Sequence, residues 1–151
     1  MSNKLTIESI YEYLKKSSNN LIHKLYLDYS TLNLYEEDDF KLIEIYNFTN
    51  KETAVTFQIL HDESNNIVDF KALYDYKIVN LYNAFAAAND FNRNNYFEKM
   101  LVELDTNNSY FICIDVASYC ETIEDVEEQI LSFFTFAFSD STVSDVINAL
   151  Q

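Results

Sequence analysis

The chain has 151 residues, neither glycine nor proline, and a formal net charge of −15 from 25 acidic and 10 basic side chains. Its length suits one domain with one core across residues 1–151, and an apolar share of 48% with 16% aromatics excludes a disordered chain. The sign of the charge argues against direct DNA or RNA binding, which needs basic patches, and without glycine a phosphate-cradling loop or dinucleotide fingerprint cannot be built.

The N-terminus, MSNKLTIESIYEYL, lacks a basic region followed by an apolar one. That predicts no signal peptide and residence in the cytoplasm of the producing or infected bacterial cell. The longest apolar run is too short to span a membrane.

Thr6–Ser17 has Ile7, Ile10, Tyr11 and Leu14 at helical spacing, with Thr6 as its cap. Asn19-Asn20 stop that helix. Residues 21–35 fit a strand through Leu25, Leu27 and Tyr29, or a helix through Ile22, Leu25, Tyr26 and Tyr29. Glu36–Asp39 is an acidic run expected to form a loop. Phe40–Phe48, Thr53–His61 and Ile67–Tyr74 are short, rich in β-branched and aromatic residues, and separated by short polar links. They predict an antiparallel meander.

Lys77–Phe91 changes period, with Ile78, Leu81, Tyr82, Phe85, Ala88 and Asn89 as the inward stripe and small alanines allowing close approach to a sheet. After the asparagine cluster NDFNRNN, two strands, Tyr96–Leu104 and Tyr110–Ala117, pair through the DTNN turn. Thr122 then caps a helix whose first turns carry Glu124, Asp125, Glu127 and Glu128 and whose stripe is Ile123, Val126, Ile130, Phe133, Phe134 and Ala137. A short final helix presents Val143, Val146, Ile147 and Leu150 inward.

In a glycine-free chain, asparagine is the best substitute at left-handed turn positions. The pairs Asn19-Asn20, Asn65-Asn66, Asn94-Asn95 and Asn107-Asn108 stand where turns are wanted. The cluster at Asn89–Asn95 reads as a hinge rather than a ligand site. Asn89 would lie on the buried stripe and bond free helix carbonyls or the next strand, Asn92 and Asn94 would take left-handed turns, and Arg93 would complement the helix C-terminus.

Candidates for chemistry are few. Cys113, within FICIDV, reads as a small buried side chain, and Cys120, at the strand end, as able to reach solvent. Their spacing is not that of a zinc site. His61-Asp62-Glu63 reads as a solvated turn, because adjacent strand-end residues point in different directions. Asp115 is expected on an open sheet face. No cofactor or metal is implied, and the chain is read as a non-enzyme.

The helix that ends in Asn89, Asn92 and Arg93 as N-x-x-N-R, Phe97 opening the next strand, Leu104-Asp105 at the hairpin turn and the Thr122–Phe134 helix together resemble a YbjN-type domain. The resemblance covers roughly Asp39 to Leu150. It implies an α+β fold of the type III secretion chaperone-like class, a single antiparallel sheet of about five strands flanked by N-terminal, middle and C-terminal helices, and a non-catalytic interaction module.

Two acidic concentrations are the candidate partner-binding residues: Glu36, Glu37, Asp38 and Asp39, and Glu121, Glu124, Asp125, Glu127 and Glu128. Each alone reads as a solvated face or a helix start. Together they would form a negative surface that steers toward another protein with a basic surface. The favoured reading is a chaperone- or adaptor-like protein-binding module. The alternative is a phage or mobile-element inhibitor, of the anti-CRISPR or anti-restriction type, that blocks a host nucleic-acid enzyme by acidic mimicry. Among twelve tyrosines, Tyr11, Tyr13, Tyr26, Tyr29, Tyr35, Tyr46, Tyr74 and Tyr76 cannot all be buried on the predicted faces. They read first as an aromatic core enlarged by codon bias and second as contact residues, and homodimerisation through a sheet edge or this surface is an additional option.

Overall fold

Thr6 opens the first helix by a reciprocal cap. Its hydroxyl accepts the Ser9 N–H at 3.1 Å and the Ser9 hydroxyl accepts the Thr6 N–H at 3.0 Å. Helix α1 (Ile7–Lys15) follows and buries Ile7, Ile10 and Leu14. The computed structural model describes residues 4–16, 31–37, 40–50, 53–74 and 76–151. Ser17, the Asn19-Asn20 stop and the part of the ambiguous 21–35 segment before Thr31 lie outside the described residues.

Four strands come next: β1 (Thr31–Glu37), β2 (Phe40–Asn50), β3 (Thr53–Asp62) and β4 (Ile67–Tyr74). The strand option therefore holds for Thr31–Tyr35. Helix α2 (Leu81–Asn94), strands β5 (Lys99–Leu104) and β6 (Tyr110–Tyr119), and helices α3 (Ile123–Ala137) and α4 (Asp140–Leu150) complete the chain. The fold is α+β, with one antiparallel sheet of six strands in the order β1-β2-β3-β4-β6-β5. The strand beyond the expected five is β1.

Glu36 and Glu37 are not in a loop. They close β1, opposite Lys41 and Phe40. An edge strand tolerates them because both side chains stand exposed to water. Asp38 and Asp39 lie outside the described residues.

The four described helices pack on one face of the sheet. A single apolar cluster joins Ile10, Ala88, Ile130 and Val146 to Ile45, Phe57, Phe70, Ala72 and Ile114. At its centre Phe57 stacks on Phe134 with ring centroids 3.8 Å apart, and Phe133 meets it edge-on at 6.0 Å. The buried Tyr74 hydroxyl donates to the Ala137 carbonyl at 2.7 Å, tying β4 to the end of α3. The α3 stripe is the expected one. Among the described residues, no single helix is long and apolar enough to cross a membrane.

Two helices are rotated from expectation. Helix α2 buries Ala84, Ala88 and Phe91, while Tyr82, Phe85 and Asn89 face solvent. Its buried face packs against α4 and β5, and Phe91 on that face meets the Phe136 ring. It also starts later than Lys77, where Asn80 accepts the Asn83 N–H as a cap. Helix α4 starts at Asp140 because the Ser139 hydroxyl caps it. Its buried face is Thr142, Val146, Ala149 and Leu150, and Ile147 is left exposed.

Candidate functional site

The asparagine junction is scaffolding, with roles differently shared than expected. Asn92 Oδ1 accepts the Met100 N–H at 2.6 Å, and Asn92 Nδ2 donates to the Met100 carbonyl at 3.0 Å. This amide pairs with the outer edge of β5 as a neighbouring strand would. Asn94 and Asn95 donate to the Asp90 and Phe91 carbonyls at 3.1 and 2.8 Å, satisfying the open end of α2. The cation at that end is Lys99, whose Nζ donates to the Asn95 carbonyl at 2.5 Å and the Asn92 carbonyl at 3.2 Å. Arg93 only pairs with Asp90, 3.7 Å away at the exposed surface. Among the described residues, the left-handed turns belong to Asn66 and Asn108, with φ of 56° and 60°. Asn92 and Asn94 are helical, so their predicted turns are absent.

The opposite face of the sheet carries no described helix. There the register aligns Glu44, Gln58, Lys71, Asp115 and Lys99 in one cross-strand row. Gln58 donates to Glu44 at 3.1 Å, and Lys71 Nζ stands 4.0 Å from Glu103. Asp69, in the next row, meets Asp115 diagonally. Burial, then the hydrogen bond and charge of Asp115, push the Asp69 carboxyl up to about 8, so at neutral pH Asp69 holds its proton. Asp115 thus faces the open side as expected, though joined to a second acid rather than to bulk water. Cys113 lies beside this row, fully buried, and desolvation raises its thiol pKa.

At one end of the same face lies a shallow groove of about 470 Å³ between Glu44, Tyr46, Leu73, Tyr76, Tyr110 and Phe111. Tyr46, Tyr76 and Tyr110 are exposed there, as is Tyr35 on β1, whereas Tyr11 and Tyr13 are half-buried and Tyr74 is fully buried. Tyr26 and Tyr29 lie outside the described residues.

The other end of the sheet is acidic. Strands β1 and β3 finish there and β4 starts there, so Glu36, Glu37, Asp62 and Glu63 share that end with Tyr119 and, just beyond it, Glu121. From β1 to β6 is four strand spacings of about 4.8 Å, a row about 19 Å long. Lys41, bonded to Glu8, is a cation within it and also feels Glu36 and Glu63. Not every candidate acid is free for a partner. The Asp125 carboxylate accepts the Glu121 and Thr122 N–H groups at 3.0 and 3.1 Å, which holds its pKa below the usual range. Glu127 lies near the Tyr13 hydroxyl, whose pKa is raised by desolvation and then by that carboxylate. Glu121 receives the Tyr119 hydroxyl. Glu124 and Glu128 stand exposed on α3.

No family model and no curated protein matches the chain. Among solved structures, the crystal structure of YbjN from E. coli is similar to it, with a TM-score of 0.44 and 15% identity over 80% of this chain and 88% of that one. The resemblance noted in the sequence is to the same protein type. A likeness of this grade concerns the course of the backbone, not a site or an activity.

Two further residues differ from expectation. His61 is not solvated. It ends β3 half-buried, its ring nitrogens meet no partner among the described residues, and burial lowers its pKa. Only Asp62 and Glu63 turn outward, with Asp62 accepting the Ser64 N–H and the Asn65 amide. Cys120 is buried rather than exposed, and desolvation pushes its thiol up to about 11. The Cys120 N–H is drawn in by the Asn66 carbonyl at 2.8 Å. Among the described residues no group of three His, Cys, Asp or Glu side chains is placed to hold a metal.

Proposed function

We propose that this chain is a non-catalytic, adaptor- or chaperone-like module that binds a protein with a basic surface through the acidic end of its sheet. The observation that carries the reading is the register. It draws Glu36, Glu37, Asp62, Glu63 and Glu121, distant in sequence, to one end of the sheet, where most of their charge stays in solvent. Such a patch speeds encounter with a cationic partner and orients it. The row of acids across successive strands also supports a second reading, occupation of the phosphate-binding groove of a nucleic-acid enzyme.

Calorimetric titration of the full chain with an oligo-arginine peptide tests the first reading. Binding is expected to weaken steeply with salt. It should fall roughly tenfold when Glu36, Glu37, Glu63 and Glu121 are replaced together by glutamine. Undiminished binding by that quadruple variant would overturn it. The second reading additionally requires that DNA or RNA compete with this chain for the target enzyme.

A further inference from the structure

Strand β6 outruns its neighbour. β5 begins at Lys99, opposite Asp115, and β6 continues through Val116 to Tyr119 with β4 as its one strand neighbour among the described residues. The cause lies in the junction. The chain bends at Tyr96 and Phe97 after Asn95 closes α2, so those two residues, expected to be strand, never reach the ladder.

Backbone direction alternates along a strand. Met100 turns its N–H and carbonyl outward to Asn92, so Lys99 turns inward to Asp115. Cys120 donates toward Asn66 on the β4 side. Both observations give the same phase, which directs the N–H and carbonyl of Ala117 and Tyr119 to the open side. Beside them is a notch of about 410 Å³ whose walls include Phe97, Glu98, Tyr119 and Phe133. Phe97 is 78% exposed and Tyr119 63% exposed. Open edges elsewhere are commonly protected by lysine, proline or a covering segment. The β5 edge is covered by Asn92, whereas this one is bordered by aromatic rings.

We infer that the Ala117–Tyr119 edge of β6 accepts an extended, basic segment of a partner protein as an added strand. The inference rests on the protein-binding reading above and names where the partner's chain engages. Two outward N–H groups and two outward carbonyls fit extended backbone. Charge selects the occupant. Glu98 borders the notch and Glu121 follows Tyr119, so cationic side chains are favoured. A second copy of this chain would bring another −15 to the same place.

The test uses the full isotopically labelled chain and a short peptide of alternating arginine and valine. The Ala117 and Tyr119 amides should exchange with solvent roughly tenfold more slowly in its presence, while Met100, already bonded to Asn92, stays unchanged. The same peptide N-methylated at alternate residues should bind roughly tenfold more weakly. Phe97→Ala should weaken binding without lowering Tm. Binding that leaves Ala117 and Tyr119 unprotected, or that survives N-methylation, overturns strand addition while the protein-binding reading stands. Equal protection by a peptide with glutamate in place of arginine overturns the basic occupant. No perturbation of any resonance overturns both.

Discussion

Asn92 bonds the backbone of Met100 twice, by a 2.6 Å acceptor contact and a 3.0 Å donor contact, so one side chain closes the outer edge of the sheet. Asn92→Ala is expected to cost about 1–3 kcal/mol, because it leaves a half-buried N–H and carbonyl without partners. Asn92→Asp keeps the acceptor, loses the donor and sets an anion against the Met100 carbonyl, so it should also destabilise. Asn89→Ala, at an exposed position, should stay within about 0.5 kcal/mol of the parent. Urea denaturation of the three variants checks the ranking.

The Asp69–Asp115 pair makes stability depend on pH. The Asp69 pKa is raised to about 8 in the folded chain and is about 3.9 when unfolded. Between those values the folded state holds a proton that the unfolded state has released. Its contribution is therefore complete below about pH 4 and is lost as pH climbs through about 8. Asp69→Asn supplies a permanent donor to Asp115 and removes the repulsion. Its Tm should exceed that of the parent at pH 8.5 or so and fall less between neutral and alkaline pH.

At Asn66 and Asn108, among the described residues, asparagine takes the left-handed position that glycine otherwise fills, and the substitution can be weighed. Asn108→Ala should cost about 1–2 kcal/mol, since a β-carbon without a local amide disfavours positive φ. Asn108→Gly should be close to neutral. The Asp105 carboxylate, which accepts the Asn107 and Ser109 N–H groups at 2.8 and 2.9 Å, keeps the turn formed in both variants. Thermal melts of the two variants separate them.

The sheet and α3 are held by Phe57 and Tyr74. Phe57→Ala removes a ring packed on Phe133, Phe134 and Phe138 and should cost about 3–5 kcal/mol. Tyr74→Phe should cost about 1–2 kcal/mol by stranding the Ala137 carbonyl. Both losses should appear in chemical denaturation.

Local patterns make much of this architecture legible in the sequence. The alternation in β2, β3 and β4, the DTNN hairpin and the α3 stripe each depend on neighbours in sequence. The phase of α2 is not legible locally, because Tyr82 and Phe85 are larger apolar residues than Ala84 and Ala88, and packing against α4 and β5 selects the alanines. The same phase decides that Asn89 faces solvent. The acidic end was half legible. Two runs of acids are plain in the chain, but that Asp62-Glu63 lies between them follows from strand register. The overhang of β6 was hidden, since Tyr96 and Phe97 carry strand propensity and are turned away by hydrogen bonds of Asn95 and Lys99.

The position of β6 between β4 and β5 has a consequence for biosynthesis. As the chain leaves the ribosome, the β1–β4 meander can assemble progressively, but the flank of β4 waits for a strand that emerges after α2 and β5. Until Tyr119 has been made, the nascent polypeptide displays an unpaired strand edge to neighbouring chains. A premature stop before Tyr110 should therefore yield insoluble product, whereas loss of α4 alone would leave every strand paired in its final order.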